Sequence, residues 1–329
     1  MATTEAEQMV ETSGGTYFPV HTDSIRLDSV PSFALYFQPS VDQPYVLYCE
    51  RKTKFTREAK RRLQQNKITQ LFITKKDRAA YSRYLAEHLT DVLEDARLTV
   101  REKSTILYDS AQAVVEDVLK EPTQRANIER GKVVVQRTVE FMRSKEFMLE
   151  HLLRTISCDY YLYTHSINVT AYSIALAMRS GYIDPATLRE VANGALLHDV
   201  GETTLPPELK NKEGQLTPEE WKLMRAHPEE GVKLLQKTGC LGEIAQDIVL
   251  CHHEKLNGHG YPNKLKGDQI SPFVRIVTIA DIFDALTTER FHQKRMSSFE
   301  ALKLMRESMR EELDMDLFRN FVTMMGGKR

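Results

Sequence analysis

A chain of 329 residues has length for roughly two domains, and 41% apolar residues suffice for a proper core, which excludes wholesale disorder. Its 45 Lys and Arg against 46 Asp and Glu leave a formal charge of −1, which argues against a surface built to grip DNA or RNA. The cysteines (Cys49, Cys158, Cys240 and Cys251) lie far apart with no C-x-x-C pair, so a reducing cytoplasm is expected rather than a disulfide scaffold. No run reaches the ~18 consecutive apolar residues of a membrane span, and the polar, acidic start lacks the features of a signal peptide.

Residues 1–16 read as a flexible tail. From 17 to 98, aromatic and β-branched runs at Ser32–Gln38, Pro44–Cys49 and Gln70–Thr74 predict strands. Helices are predicted over Thr56–Asn66, with Thr56 as cap, and over Lys76–Ala96, where Tyr81, Tyr84, Leu85, Leu89, Val92 and Leu93 share a side. These elements make up a small α/β module. Its cations Arg51, Lys52, Lys54, Arg57, Lys60, Arg61 and Arg62 read as a solvated helix face, with a phosphate- or partner-binding patch as the alternative. Residues 99–140 predict connecting helices that could couple two domains or form a homodimer contact.

The segment 141–315 punctuates itself as helices. Asp184-Pro185 and Ser271-Pro272 each set a cap before a first-turn proline, and Thr217 to Glu220 and Ser297 to Glu300 are capping boxes. The expected fold class is therefore two-domain, a small N-terminal α/β module followed by an all-α domain, with a C-terminal tail at 316–329. Trp221 and Met224, one helical step apart, predict core positions.

Several polar residues interrupt these apolar helices, where burial requires a partner or a metal. Asp281 lies within the apolar run 273–286, and His198-Asp199 follow Ala195-Leu196-Leu197 at a helix end. His165 opens a stretch continued by Val169, Tyr172 and Leu176, His227 precedes Pro228 at a junction, and His252-His253 close the helix Ile244–Cys251. One helical histidine is more often a hydrogen-bonded residue than a ligand. Five imidazoles with two carboxylates suit borderline divalent metals such as iron, manganese or zinc, and Asp199 could bridge two ions.

The order His165, His198-Asp199, His227, His252-His253-Glu254, Gly260-Tyr261-Pro262, Asp281 resembles the HD-GYP family of cyclic-di-GMP phosphodiesterases. The blocks LLHDVGE, LTPEEW, MRAHPEEG, HHEKLNGHGYP and RIVTIADIFDAL carry the likeness over roughly 150–305. It implies one divalent ion on His165, His198, Asp199 and Asp281 and a second on His227, His252 and His253, with Asp199 shared. Iron or manganese is favoured, and zinc, nickel or magnesium would also suit. Tyr161 stands where some members add a Glu for a third ion, so two are expected. Glu254 is expected to accept a hydrogen bond that fixes an imidazole. His198 and Asp199 form the catalytic pair, and water held between the ions would open cyclic-di-GMP to pGpG, with GMP as a further product.

The departures lie in the substrate shell. Glu202 replaces the Lys usual after His-Asp-x-Gly, Asn257 replaces an Asp, and the phosphate grip reads Arg290-Phe291-His292-Gln293, with Lys294 beside it. Arg290, Lys294, Tyr261 and Glu202 are the candidate substrate contacts, and Tyr261 could also meet GGDEF-domain partners. An alternative reading is a cyclic-di-GMP receptor or scaffold of little activity, or a hydrolase of another cyclic dinucleotide.

Overall fold

Alternation along Gln70–Thr74 buries Leu71 and Ile73 and leaves Phe72 half-buried on the opposite face. In the computed structural model, which describes residues 10–12, 15–40, 43–96, 98–144, 162–210, 212, 214–288 and 295–326, this run is one strand of an antiparallel sheet. The strands are β1 (Val10–Thr12), β2 (Gly15–His21), β3 (Leu35–Phe37), β4 (Val46–Cys49) and β5 (Gln70–Thr74), in the order β1-β2-β5-β3-β4. Two strands are additional to those predicted. β1 lies within the stretch read as a tail, and Pro19 disguises β2. That proline is tolerated because β1 pairs only with Gly15, Thr16 and Tyr17, leaving the strand an open edge at residue 19.

The chain divides into two compact units, Met1–Ala113 and Val114–Arg329. In the first, α1 (Arg57–Gln65) is capped by Thr56, which accepts from the Ala59 N–H, and α2 (Arg78–Glu94) follows β5. Phe33 meets Tyr81 and Tyr84 edge-on in the interior. The basic segment is less free than expected. Arg51 pairs with Asp77 at 2.8 Å, Lys54 with Asp28 at 2.9 Å, and Lys60, nearly buried, with Asp23 at 2.8 Å.

Helix α3 (Val100–Lys120) crosses the division, and α4 (Arg125–Met142), expected as part of a connector, packs against a helix of the second unit. That helix is α6 (Pro185–Leu197), whose residues from Val191 to Leu197 are all buried, and which also packs on α5 (Leu162–Arg179) and α10 (Glu243–Cys251). Short helices α7 (Pro207–Lys210) and α8 (Pro218–Met224) lead to α9 (His227–Gln236), and α11 (Pro272–Thr287) lies against α5 and α10. The capping boxes at Thr217 and Ser297, and the caps Asp184 and Ser271, form as their sequences dictate.

After α12 (Ser298–Ser308), the stretch read as a C-terminal tail forms α13 (Met315–Met325), capped by Asp314. Leu317, Phe318, Phe321 and Met324 share one buried face, and the Phe321 ring meets Tyr172 and Phe283. Trp221 is also corrected. It is 46% exposed, Met224 is half-buried, and α8 buries none of its residues. Among the described residues, no helix is long and apolar enough to cross a membrane.

Candidate metal centre

Helix ends set the imidazoles. His198 caps the C-terminus of α6, where its Nδ1–H donates to the Ala195 carbonyl at 2.7 Å. His227 opens α9, donating from Nδ1 to Met224 O at 2.8 Å, and His252 caps α10, donating from Nδ1 to Val249 O at 3.1 Å. A carbonyl can only accept, so each ring carries its proton on Nδ1 and turns the Nε2 lone pair inward. His165, within α5, is held by Asp284 Oδ2, 2.7 Å from its Nδ1. Asn168 donates to the other oxygen of Asp284 at 2.9 Å.

The inward nitrogens converge on Asp199. Its Oδ2 lies 3.2 Å from His198 Nε2 and 3.6 Å from His165 Nε2, and its Oδ1 lies 3.3 Å from His227 Nε2 and 3.4 Å from His252 Nε2. Asp281 brings Oδ1 to 3.2 Å from His165 Nε2 and Oδ2 to 3.9 Å from His253 Nδ1. The donors of Asp199, His227, His252 and His253 lie within 4.8 Å of one another, as do those of His165, His198 and Asp199.

The donor chemistry tests whether cations fit. His165 and His198 face each other through Nε2 at 3.3 Å, and His227 and His252 do so at 3.2 Å. At that range each facing pair must share either a proton or a bound cation between its nitrogens. Donors bound at ~2.1 Å to one ion sit about 3 Å apart, which matches the spacing here. The residues fit two ions.

The titration behaviour has the same cause. Burial alone would lower His165, but the hydrogen bonds and charges of Asp281 and Asp284 outweigh it and raise the ring to about 10. Burial likewise opposes the charged forms of His198 and His227, yet Asp199 raises both. For Asp199 and Asp281 burial would favour the neutral acid, and the surrounding imidazoles instead hold both carboxyls below the usual range. Burial dominates at His252 and His253, which are lowered and kept neutral, as ligands must be.

Access is one-sided. The side chains of His165, His198, His227 and His252 are at most 2% exposed, whereas His253 is 29% exposed. Tyr261 stacks on His253 with ring centroids 4.7 Å apart, and the Arg225 guanidinium lies over the Tyr261 ring at 5.4 Å. Tyr261 thus faces the histidines and shapes the mouth. Burial raises its phenol, with further increments from Asp199, Asp281 and Glu202. Glu202, on the 3-10 turn Val200–Thr204, also raises His227 by its charge.

Glu254 is a correction. Rather than fixing an imidazole, its buried carboxylate accepts from the N–H groups of Asn263 at 2.6 Å and Leu265 at 3.0 Å, so it moors the loop that carries Tyr261. Gly260 lets that loop return over the histidine pair, since a Cβ there would lie 2.5 Å from Glu254 Cα and 2.6 Å from His253 O. Asp284 was missed, although it stands three residues after Asp281 on one helix, a spacing that puts both on one face. Arg290, Lys294 and Tyr161 lie outside the described residues. Asp284→Ala should lower metal affinity by about 10–100-fold, because His165 and Asn168 both lose their acceptor. Titration against a competing chelator checks this.

Against known proteins, the family model described as "HD domain" matches residues 146–317. The chain is 37% identical over 175 residues to "Cyclic di-GMP phosphodiesterase PA4108" of Pseudomonas aeruginosa, covering 53% of this chain and 42% of that protein. It is 39% identical over 132 residues to "3'3'-cGAMP-specific phosphodiesterase 2" of Vibrio cholerae, covering 40% of this chain and 24% of that one. The chain thus spans less than half the length of these relatives. Among solved structures, "Bd1817, a HDG"Y"P protein from Bdellovibrio bacteriovorus" superposes with a TM-score of 0.65 at 23% identity, covering 94% of this chain and all of the other, a likeness of fold. With His198-Asp199 between two histidine groups and the family model spanning just over half its length, the chain belongs to the HD domain family, in which its sequence blocks are those of the HD-GYP branch.

Proposed function

We propose that this protein is a metal-dependent phosphodiesterase that hydrolyses cyclic-di-GMP to pGpG, with GMP as a further product. The observation that carries the reading is Asp199, whose two carboxylate oxygens face different histidine pairs. His165, His198, Asp199 and Asp281 would hold one divalent ion and His227, His252 and His253 the other, with Asp199 common to both. Iron or manganese suits this nitrogen-rich set. When bound, two such ions activate water as a nucleophile and neutralise charge on a phosphodiester as it becomes five-coordinate.

The chain's own residues would do the rest. Backbone carbonyls behind His198, His227 and His252 hold each Nε2 inward, so the donors need not reorganise. Asp284 does the same for His165 and keeps the ring's proton on Nδ1. Substrate would enter on the His253 side, beside Tyr261, and Arg290 and Lys294 remain the further candidate contacts of the sequence motif. The N-terminal module at 17–98 would regulate the helical domain, with residues 99–140 as the coupling segment. A cytoplasmic setting suits the free thiols of Cys49, Cys240 and Cys251. A relative named for 3'3'-cGAMP at 39% identity makes that hybrid dinucleotide the second substrate to assay.

The test is incubation of the metal-analysed protein with cyclic-di-GMP and Mn²⁺ or Fe²⁺, with products separated by chromatography. About two ions per chain and the appearance of pGpG are expected. Glu202→Lys should raise turnover, since an anion beside a dianionic ligand opposes it by ~1–4 kcal/mol at intermediate dielectric. Tight binding of cyclic-di-GMP without product would make the protein a receptor instead.

A further inference from the structure

The α8–α9 junction carries a cation that the metal centre does not use. Arg225 is the C-cap of α8, its N–H donating to Trp221 O at 3.0 Å, and stands two residues before His227. The preceding carbonyl, that of Met224, is the one that holds His227 Nδ1. The backbone of Arg225 is therefore tied to the geometry of the metal centre. Its guanidinium carbon lies 5.6 Å from the Trp221 ring centroid and 5.4 Å from that of Tyr261, so two aromatic faces restrain an exposed side chain. Tyr261 in turn stacks on His253, the most exposed of the five imidazoles.

The side chain of this arginine has no acceptor of its own among the described residues: no carboxylate pairs with Arg225 and no oxygen accepts from its side-chain N–H groups. By contrast, Arg275 binds Asp314 and Asp268, Lys255 binds Glu312, and Lys212 binds Glu220. Cation–π contacts occupy the faces of a guanidinium and leave its N–H edge free, which is the edge that grips phosphate oxygens. A fork fixed in this way at the open side of a metal centre is prepared for an anion. The charge of Glu202 also bears on Tyr261, so the mouth holds an anion as well as this cation.

We propose that Arg225 binds the phosphodiester that is not being cut when a cyclic dinucleotide lies with its other phosphodiester at the metal centre. The assignment rests on the cyclic-dinucleotide reading above. The uncut phosphate follows from position, because Arg225 and His253 both contact the Tyr261 ring, which sets the guanidinium beside the open side of the metal centre rather than among its donors. Trp221, exposed on a helix that buries nothing, acts as the positioning residue that keeps the fork in place.

The experiment compares the full-length wild type, Arg225→Ala, Arg225→Lys and Trp221→Ala, all analysed for metal. It measures equilibrium binding of cyclic-di-GMP by calorimetry, steady-state hydrolysis, and the salt dependence of binding. Arg225→Ala should raise both Kd and KM by ~10–100-fold, the range for loss of a charge-assisted hydrogen bond, with kcat within about threefold. Metal content and thermal midpoint should match the wild type, and the slope of log Kd against log salt should flatten. Arg225→Lys, which keeps charge but loses the fork, should fall between the two, and Trp221→Ala should shift KM in the same direction by less. Unchanged Kd and KM in Arg225→Ala, with the wild type binding and cleaving normally, would overturn the assignment and leave the phosphodiesterase reading intact. A fall in kcat at constant KM would also overturn it, since that pattern belongs to a group acting at the reacting phosphate. If the metal-loaded wild type neither binds nor cleaves cyclic-di-GMP or 3'3'-cGAMP, both readings fall together.

Discussion

Asp199→Asn should leave a folded chain that retains little metal and loses more turnover than the ~10–100-fold expected from removing a mere supporting partner. The residue is the electrostatic hinge of the cluster. Its two oxygens lie within 3.2–3.6 Å of four different imidazole nitrogens, so one substitution removes a shared donor from both groups. Side-chain volume is kept, which separates loss of ligation from loss of packing. Metal analysis, cyclic-di-GMP turnover and circular dichroism check the outcome, and full metal content with normal turnover would overturn the shared-ligand reading.

Protons report on the same residue. Cations compete with protons for His165, His198 and His227, all raised by neighbouring carboxylates, so metal uptake must release protons and affinity must rise with pH. In Asp199→Asn the carboxylate that contributes most to raising His198 and His227 is gone, and fewer protons should be released. Calorimetry in buffers of different ionisation enthalpy, at about pH 6 and about pH 8, measures both effects. For the metal-free fold the sign is opposite. A His165 raised from 6.5 to about 10 stabilises it fully below 6.5, and that contribution fades as pH rises through about 10.

Gly201→Ala should have the largest effect on stability. A Cβ at 201 would lie 1.9 Å from His227 O and 2.6 Å from Gly231 N, so it would strike the backbone at the start of α9, with no flexible side chain able to yield. Overpacking typically costs ~1–3 kcal/mol, and a backbone clash of this depth belongs at or above that range. For a unit of this size, about 3 kcal/mol lowers the thermal midpoint by roughly 6–12 °C. The displacement also pulls His227 away from Asp199 Oδ1, now 3.3 Å distant, so metal content should fall from about two ions towards one. Gly131→Ala is the control. There a Cβ meets Leu196 at an ordinary 3.7 Å, and the helix should gain ~0.5–1 kcal/mol. Differential scanning calorimetry should show the two shifts with opposite signs.

Elements with local causes were legible. Thr56, Asp184, Thr217, Ser271 and Ser297 each cap the helix their sequence announces, because a cap involves only the next three or four residues. The metal cluster was legible as a series, since four of its five histidines stand at or near helix ends where an apolar run stops. Non-local compensation was not legible. Pro19 argues against a strand until the pairing shows that β1 covers β2 only as far as Tyr17. Trp221 suits a core by hydropathy, yet α8 is a seven-residue helix at the surface. The stretch after 315 looked like a tail because its apolar face has meaning only against Tyr172 and Phe283.

Side-chain roles within the centre divide along the same line. Glu254 adjoins His253 in sequence, but the chain turns after α10 and aims its carboxylate at the loop amides of Asn263 and Leu265. The partner of His165 is Asp284, 119 residues away, which helix packing alone brings to 2.7 Å. The amino-acid order by itself determined which donors this protein owns, where its helices start and stop, and that the second half is helical, because those properties depend on chemistry and near neighbours. Only the tertiary structure decided which carboxylate serves which imidazole, which side of the centre is open, and which arginine stands at its mouth. Those depend on directions in space that the packing of distant helices fixes.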